Sequence, residues 1–271
     1  MPELPEVQTV VDHIKNDLIN EELIEINPIW PKVLDNFNSK DIFNKKSLKI
    51  KDVSRRAKFI IIHFKAQIIA IHLRMTGKLY FLNGPSIPKH ARALFQMKSG
   101  KVLVFDDVRK FGRLYLYDNF KNINSRHGPE PLDNSFTSNE LIKILHSKKR
   151  NIKALLLDQS VLSGLGNIYV DESLWTSGIH PNSISNMIPD TKVVILYNSI
   201  RSILKNAISS KGTTIIDFSV NGQSGKYSGE LKVFGKEGKV CPKCDGQILK
   251  FRVAGRGTHI CNKCQCKYIK A

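Results

Sequence analysis

Phe59-Ile60-Ile61-Ile62-His63-Phe64 and Ile68-Ile69-Ala70-Ile71-His72-Leu73 are two short β-branched runs with a three-residue gap between them. Runs this short and this rich in isoleucine read as strands, because a branched Cβ packs well on a pleated surface and loses rotamer freedom in a helix. Working outward, similar runs recur at 49–53, 78–82, 93–97, 102–105 and 114–117. Turn signals separate them at Thr76-Gly77, Asn83-Gly84-Pro85 and Ser99-Gly100. Seven strands at this spacing predict an antiparallel β-sandwich. A further short strand fits 24–30, ended by Pro28 and Pro31.

Past Gly128-Pro129-Glu130-Pro131 the periodicity becomes helical, over 138–148, 152–159, 167–175 and 190–211. The class is therefore α+β: an N-terminal antiparallel β-sandwich flanked by helices, then a C-terminal helical domain that ends in a metal finger. The expected domains are 1–131, 132–225 and 226–271. Residues 212–229 are rich in Gly and Ser with little periodicity, which predicts a mobile loop.

With 42 Lys and Arg against 24 Asp and Glu, the net charge of +18 points to a polyanionic partner. Nucleic acid leads, with an anionic membrane surface behind it. No run of about 18 apolar residues is present, so no membrane span is expected. The first residues carry acids where an export signal carries a basic segment, which predicts an intracellular, cytoplasmic protein.

All five cysteines lie within 241–266. Cys241-Pro242-Lys243-Cys244 and Cys261-Asn262-Lys263-Cys264 are two knuckles that each turn a pair of thiolates toward one ion. This spacing suits a single tetrahedral zinc, structural because four thiolates leave no position for water. Cys266 could stand in for Cys264, but it breaks the symmetric spacing and reads as a spare thiol.

The opening Met1-Pro2-Glu3-Leu4-Pro5-Glu6 has two readings. Pro5 and Glu6 suit a helix start, and Val7, Val10, Val11, Ile14 and Leu18 follow on one apolar face. Alternatively, loss of Met1 would leave Pro2 as a secondary amine beside two carboxylates, a nucleophile partly unprotonated at neutral pH.

Further along, Leu162-Ser163-Gly164-Leu165-Gly166-Asn167 leads into a helix and suits an anion, with Lys153 strengthening that reading. Lys250 to His259 is a basic segment whose glycines allow close approach of backbone to phosphate. Arg55-Arg56-Ala57-Lys58, His72-Leu73-Arg74-Met75-Thr76-Gly77 and Asp107-Val108-Arg109-Lys110-Phe111-Gly112 sit at strand ends. Their apolar residues are either core beside solvated charge or wedges that enter a base stack.

Together these motifs resemble the bacterial formamidopyrimidine-DNA glycosylases, which remove oxidised purines such as 8-oxoguanine from duplex DNA. The resemblance covers nearly the whole chain, through the N-terminal Pro2 to Glu6, the two strand-end motifs, Gly128 to Pro131, Gly164-Leu165-Gly166-Asn167-Ile168-Tyr169 and the two knuckles. It implies a helix-two-turn-helix element over roughly 152–175 and a zinc finger that contacts damaged double-stranded DNA, in a monomer.

By the same resemblance Pro2 is the nucleophile, Glu3 the catalytic acid, and Glu6 a neighbour in the same pocket. Lys58 lies near the scissile phosphates, Asn167 and Arg256 hold phosphates flanking the extruded nucleotide, and Met75, Arg109 and Phe111 enter the duplex, while Lys153 is expected at the DNA from its place near the 162–167 turn. Two positions depart from the common pattern, Ala57 where Gly is frequent and Val108 where Pro is. The stretch 213–226 matches no firm pattern, so base preference is the least specified property. Alternatives are the pyrimidine-preferring endonuclease VIII branch, a non-catalytic DNA binder, and a zinc-ribbon RNA binder that would leave Pro2 and Glu3 unexplained.

Overall fold

The computed structural model describes residues 1–44, 48–213, 219–220 and 223–269. It divides into two compact units, Met1–Ser125 with Ser210–Lys226, and Arg126–Ser209 with Tyr227–Ala271. The stretch expected to join helices to finger thus belongs with the sandwich, and the finger belongs with the helices.

The first unit opens with helix α1 (Leu4–Leu18), capped by Glu3 in extended conformation, one residue earlier than Pro5 alone suggests. Val7, Val10, Val11, Ile14 and Leu18 are all buried and pack with the sandwich core. Each such burial contributes on the order of 1.5–3 kcal/mol relative to an exposed side chain.

Eight strands follow: β1 (Leu23–Asn27), β2 (Asp52–Arg56), β3 (Phe59–His63), β4 (Ile68–His72), β5 (Gly77–Phe81), β6 (Ala91–Met97), β7 (Val102–Asp107) and β8 (Arg113–Tyr117). They form two four-stranded antiparallel sheets, ordered β1-β6-β7-β5 and β2-β3-β4-β8. The seven expected strands are therefore present, and the 24–30 run supplies the eighth as an edge. The run at 49–53 is displaced. Arg55 and Arg56 end β2, and the two-residue turn Ala57-Lys58 leads from them into the apolar β3, pairing Arg56 with Phe59.

The continuous apolar runs of β3 and β4 follow from burial on both faces. Ile60, Ile62, Ile69 and Ile71 enter the sandwich core, while Ile61, Ile68 and Ala70 lie under Ile123 of the short helix α2 (Lys121–Asn124). A strand covered on both sides has no reason to alternate.

The second unit contains α3 (Ser138–His146), α4 (Ile152–Leu157), α5 (Asn167–Ser177) and α6 (Asp190–Ser209). Thr137 caps α3, its hydroxyl accepting from Glu140 N while Glu140 accepts from Thr137 N. Gly178, at φ 72°, ends α5 as the only residue type comfortable there. Among the described residues no helix is long and apolar enough to cross a membrane.

Within 212–229 the chain forms a two-residue ladder between β9 (Ser219–Val220) and β10 (Gln223–Ser224). Residues 214–218 and 221–222, part of the stretch read as a mobile loop, lie outside the described residues. The finger hairpin pairs β11 (Leu249–Val253) with β12 (Arg256–Ile260). Its turn, Ala254-Gly255, has positive φ at both residues, as a two-residue turn matched to strand twist demands.

Candidate functional site

In the first unit Pro2 is buried at the mouth of α1, beside Glu3 (3 % exposed) and Glu6 (2 % exposed). Glu6 explains the local order. One of its oxygens accepts from the Glu3 backbone N–H at 2.8 Å and the other from Thr213 N–H at 2.8 Å. The carboxylate therefore ties the N-terminus to the stretch that begins at Ser210. Gly212 leaves room for it, since a Cβ there would stand 3.0 Å from the Glu6 oxygen at a φ of 77°.

Lys58, 5 % exposed, sits at the tip of the β2–β3 turn. Arg55 fixes that turn against α1, donating to Gln8 Oε1 at 3.1 Å and to the Ala57 carbonyl at 2.9 Å. Ala57 holds φ 52°, a left-handed conformation that a side chain tolerates at a cost of about 1–2 kcal/mol, which is why glycine suits the position.

At one end of the sandwich the chain crosses twice between sheets, from β4 to β5 and from β7 to β8. Register forces these crossings side by side, because His72 pairs with Arg113 in one sheet and Gly77 with Asp107 in the other. Met75 and Phe111, at their tips, are 42 % and 47 % exposed despite being apolar. Arg109 lies between them, with Nη1 3.2 Å from the Met75 sulfur and its guanidinium 4.8 Å from the Phe111 ring centroid. The three residues expected to act together are therefore one cluster.

Asp107, which the sequence offers no reason to single out, organises that cluster. It is fully buried, and one carboxylate oxygen accepts from the Thr76 hydroxyl and from Arg109 N–H at 3.2 Å. The other accepts from Gly112 N–H at 2.7 Å. Gly112 admits this contact because any Cβ would lie 2.3 Å from the Phe105 ring.

In the second unit α4 and α5 flank a double turn closed by Gln159, which accepts from Gly164 N–H and donates to the Leu157 and Leu165 carbonyls. Gly166 caps α5, so Asn167 is not the cap. Its amide donates instead to the Gly257 carbonyl at 2.9 Å. Arg256 is exposed at the start of β12, one residue away.

Lys153, expected to touch phosphate, is fully buried. Its ammonium donates to Asp171 at 2.6 Å, to the Thr258 hydroxyl at 2.8 Å and to the Gly257 carbonyl at 3.2 Å. These bonds hold the start of β12, with Gly257 and the neighbouring Arg256, beside Asn167. Asp171 also accepts from His259 N–H at 2.9 Å. Glu172, next along α5, accepts from the backbone N–H groups of Lys232, Val233 and Phe234.

The four sulfurs of Cys241, Cys244, Cys261 and Cys264 lie within 4.8 Å of one another. Three pairs are 3.4–3.7 Å apart. A regular tetrahedron with zinc–sulfur bonds of about 2.3 Å has edges of about 3.8 Å, so the donor set fits a metal ion with little movement. Cys266 is exposed and stands outside the group, pairing through its backbone with Gly178.

This arrangement has close relatives. Residues 1–114 match the family model described as the formamidopyrimidine-DNA glycosylase N-terminal domain, and 127–219 match the H2TH domain of the same proteins. Residues 238–265 match a zinc finger found in FPG and IleRS. The formamidopyrimidine-DNA glycosylase of Protochlamydia amoebophila is 41 % identical, over 98 % of this chain and all of the relative. The chain belongs to the formamidopyrimidine-DNA glycosylase family.

Solved structures of the family agree in fold. A Lactococcus lactis FPG variant in complex with DNA containing Fapy-dG superposes with a TM-score of 0.90 at 34 % identity, over 98 % of this chain and all of that one. The Lactococcus lactis Fpg complex with abasic-site DNA gives 0.89 at 34 % identity, with the same coverage. Within this glycosylase fold, sequence reasoning misses Asp107, Asp171 and Glu172. A faint signal exists for the last two: adjacent acids inside a helix whose every turn is buried require partners.

Proposed function

We propose that this family member is a bifunctional DNA glycosylase and abasic-site lyase that excises oxidised purines, 8-oxoguanine and formamidopyrimidines, from duplex DNA in base excision repair. The observation that carries the reading is the N-terminus, where Pro2, Glu3 and Glu6 are buried together at the start of α1.

The glycosidic carbon of a damaged nucleotide is shielded in the duplex, and flipping the nucleotide out costs a few kcal/mol. Met75, Arg109 and Phe111 offset that cost by filling the space it leaves. Asn167 and Arg256 hold phosphates beside the extruded nucleotide, and Lys58 lies by the scissile phosphates. Once Met1 is removed, the Pro2 amine attacks the sugar carbon, the bond to the base breaks, and Glu3 delivers a proton to the opening sugar.

The product is an iminium on a secondary amine, which has no N–H proton to lose. Its charge persists and acidifies the adjacent sugar protons, so elimination of the 3′ and then the 5′ phosphate follows. Cys241, Cys244, Cys261 and Cys264 hold one zinc ion that serves the finger's fold and takes no part in bond breaking. The net charge of +18 supports salt-sensitive association with DNA.

Borohydride added during reaction with 8-oxoguanine duplex is expected to trap a protein–DNA adduct with the Met1-free chain, and none with Pro2→Gly or with a chain that keeps Met1. Salt-sensitive binding without cleavage or adduct would instead identify a non-catalytic DNA binder. Preferential cleavage of oxidised pyrimidines would move the chain's activity to the other branch.

A further inference from the structure

Asp107 lies outside the groups that touch DNA in the proposed mechanism, yet it is the residue on which both exposed loops converge. It is fully buried at the end of β7. Its carboxylate receives the Thr76 hydroxyl from the β4–β5 crossing, and the Arg109 and Gly112 N–H groups from the β7–β8 crossing. Its own backbone is fixed as well, the carbonyl accepting from Arg92 Nε at 2.7 Å and the N–H donating to His90 at 2.9 Å.

The anchored residues are the immediate neighbours of the exposed ones. Thr76 follows Met75, and Arg109 and Gly112 bracket Phe111. Arg74 and Lys110 stand at φ 54° and 59°, left-handed conformations in the same two crossings that the surrounding bonds must hold in place. A fixed carboxylate with two loops on it makes the position of one loop depend on the other.

We infer that Asp107 is a positioning residue that couples the Met75 loop to the Arg109–Phe111 loop, so that the three side chains enter the duplex as one body. The inference rests on the proposed reading of those side chains as wedges. It assigns to Asp107 the step of opening the lesion pair and no part in bond breaking.

Asparagine is the discriminating substitution. Its amide has one acceptor oxygen where the carboxylate has two, so an NH2 group must face either Gly112 N–H or Arg109 N–H. The β7–β8 crossing then loses one of its two bonds to the Asp107 side chain, while the buried volume is nearly unchanged.

The test compares two duplexes under single-turnover conditions, one with 8-oxoguanine and one with a preformed abasic site, which has no base to unstack. Losing a charge-assisted hydrogen bond should slow 8-oxoguanine excision by Asp107→Asn about thirtyfold. Abasic-site cleavage should change less than about threefold, since flipping is cheapest where the base is already gone. Thr76→Val, which removes the hydroxyl's contacts with Asp107 and with Arg109 N–H at a less buried position, should shift the same ratio by about fivefold.

Combined with Asp107→Asn, Thr76→Val should add less than its effect alone, because both act on the same hydrogen-bonded group around Asp107. If Asp107→Asn fails to fold, the Thr76→Val ratio decides alone. Equal loss on both substrates, or no loss on either while Phe111→Ala loses excision, overturns the inference and leaves the wedge reading standing. Intact excision by Phe111→Ala would instead sink the wedge reading, and this inference with it.

Discussion

Asp107 in the sandwich and Asp171 in the helical unit are both buried carboxylates beneath residues proposed to meet DNA, and they are satisfied in different ways. Asp107 accepts from neutral donors, a hydroxyl and two backbone N–H groups. Asp171 accepts from the Lys153 ammonium, with both side chains at zero exposure, and from His259 N–H. The first arrangement holds loop to loop through direction alone. The second holds α4, α5 and β12 together through a charge pair whose members are safe only in each other's company.

The metal gives the largest expected effect on that comparison. Stripping it with a chelator, or replacing Cys261 with Ser, removes a contribution that in small zinc modules is on the order of 10 kcal/mol. Hydrogen exchange should then show loss of protection at His259 N–H, which Asp171 accepts, with Gly112 N–H on Asp107 still protected. If His259 stays protected without metal, the charge pair alone fixes the hairpin. Loss at both amides would mean the two carboxylates do not belong to separable units.

Next in size is Lys153→Met, which leaves Asp171 buried without its cation. Breaking a buried pair from one side costs about 3–5 kcal/mol, so the urea midpoint of the helical unit should fall sharply. A loss below about 1 kcal/mol would mean that His259 and water satisfy Asp171 unaided.

The smallest effect should be a gain. Ala254 occupies φ 49° at the exposed finger turn, where glycine carries no penalty, so Ala254→Gly should raise stability by about 1 kcal/mol. The same change at Ala57 should give less, since that methyl is buried and its packing is lost. Thermal melts of the two variants would show whether the turns differ in this way, and equal gains would remove the packing argument.

Local features are legible in the amino-acid sequence alone. The strand runs of 59–64 and 68–73 need only local composition, and their lack of alternation is itself a sign of cover on both faces. The helix starts at Thr137 and Glu3 follow from side chains within three residues of the backbone they cap. The knuckle spacing brings four sulfurs to one place because each pair is closed by a tight local turn. Strand β2 lies a few residues beyond the 49–53 run because its basic end is decided by pairing with β3, which no local propensity carries.

The candidate site divides along the same line. The four cysteines are readable from their spacing alone, whereas Pro2, Glu3, Met75, Arg109 and Phe111 stand out as candidates only through the resemblance that the whole ordered set of motifs carries. Only the tertiary structure decides that Thr76 meets Asp107 across 31 residues, that Lys153 reaches Thr258 across 105, and that Glu6 holds Thr213 across 207. A buried polar group must find partners wherever the fold brings them. The sequence by itself states that Asp107, Asp171 and Lys153 are charged, while folding determines that burial commits those charges to holding loops and helices in place.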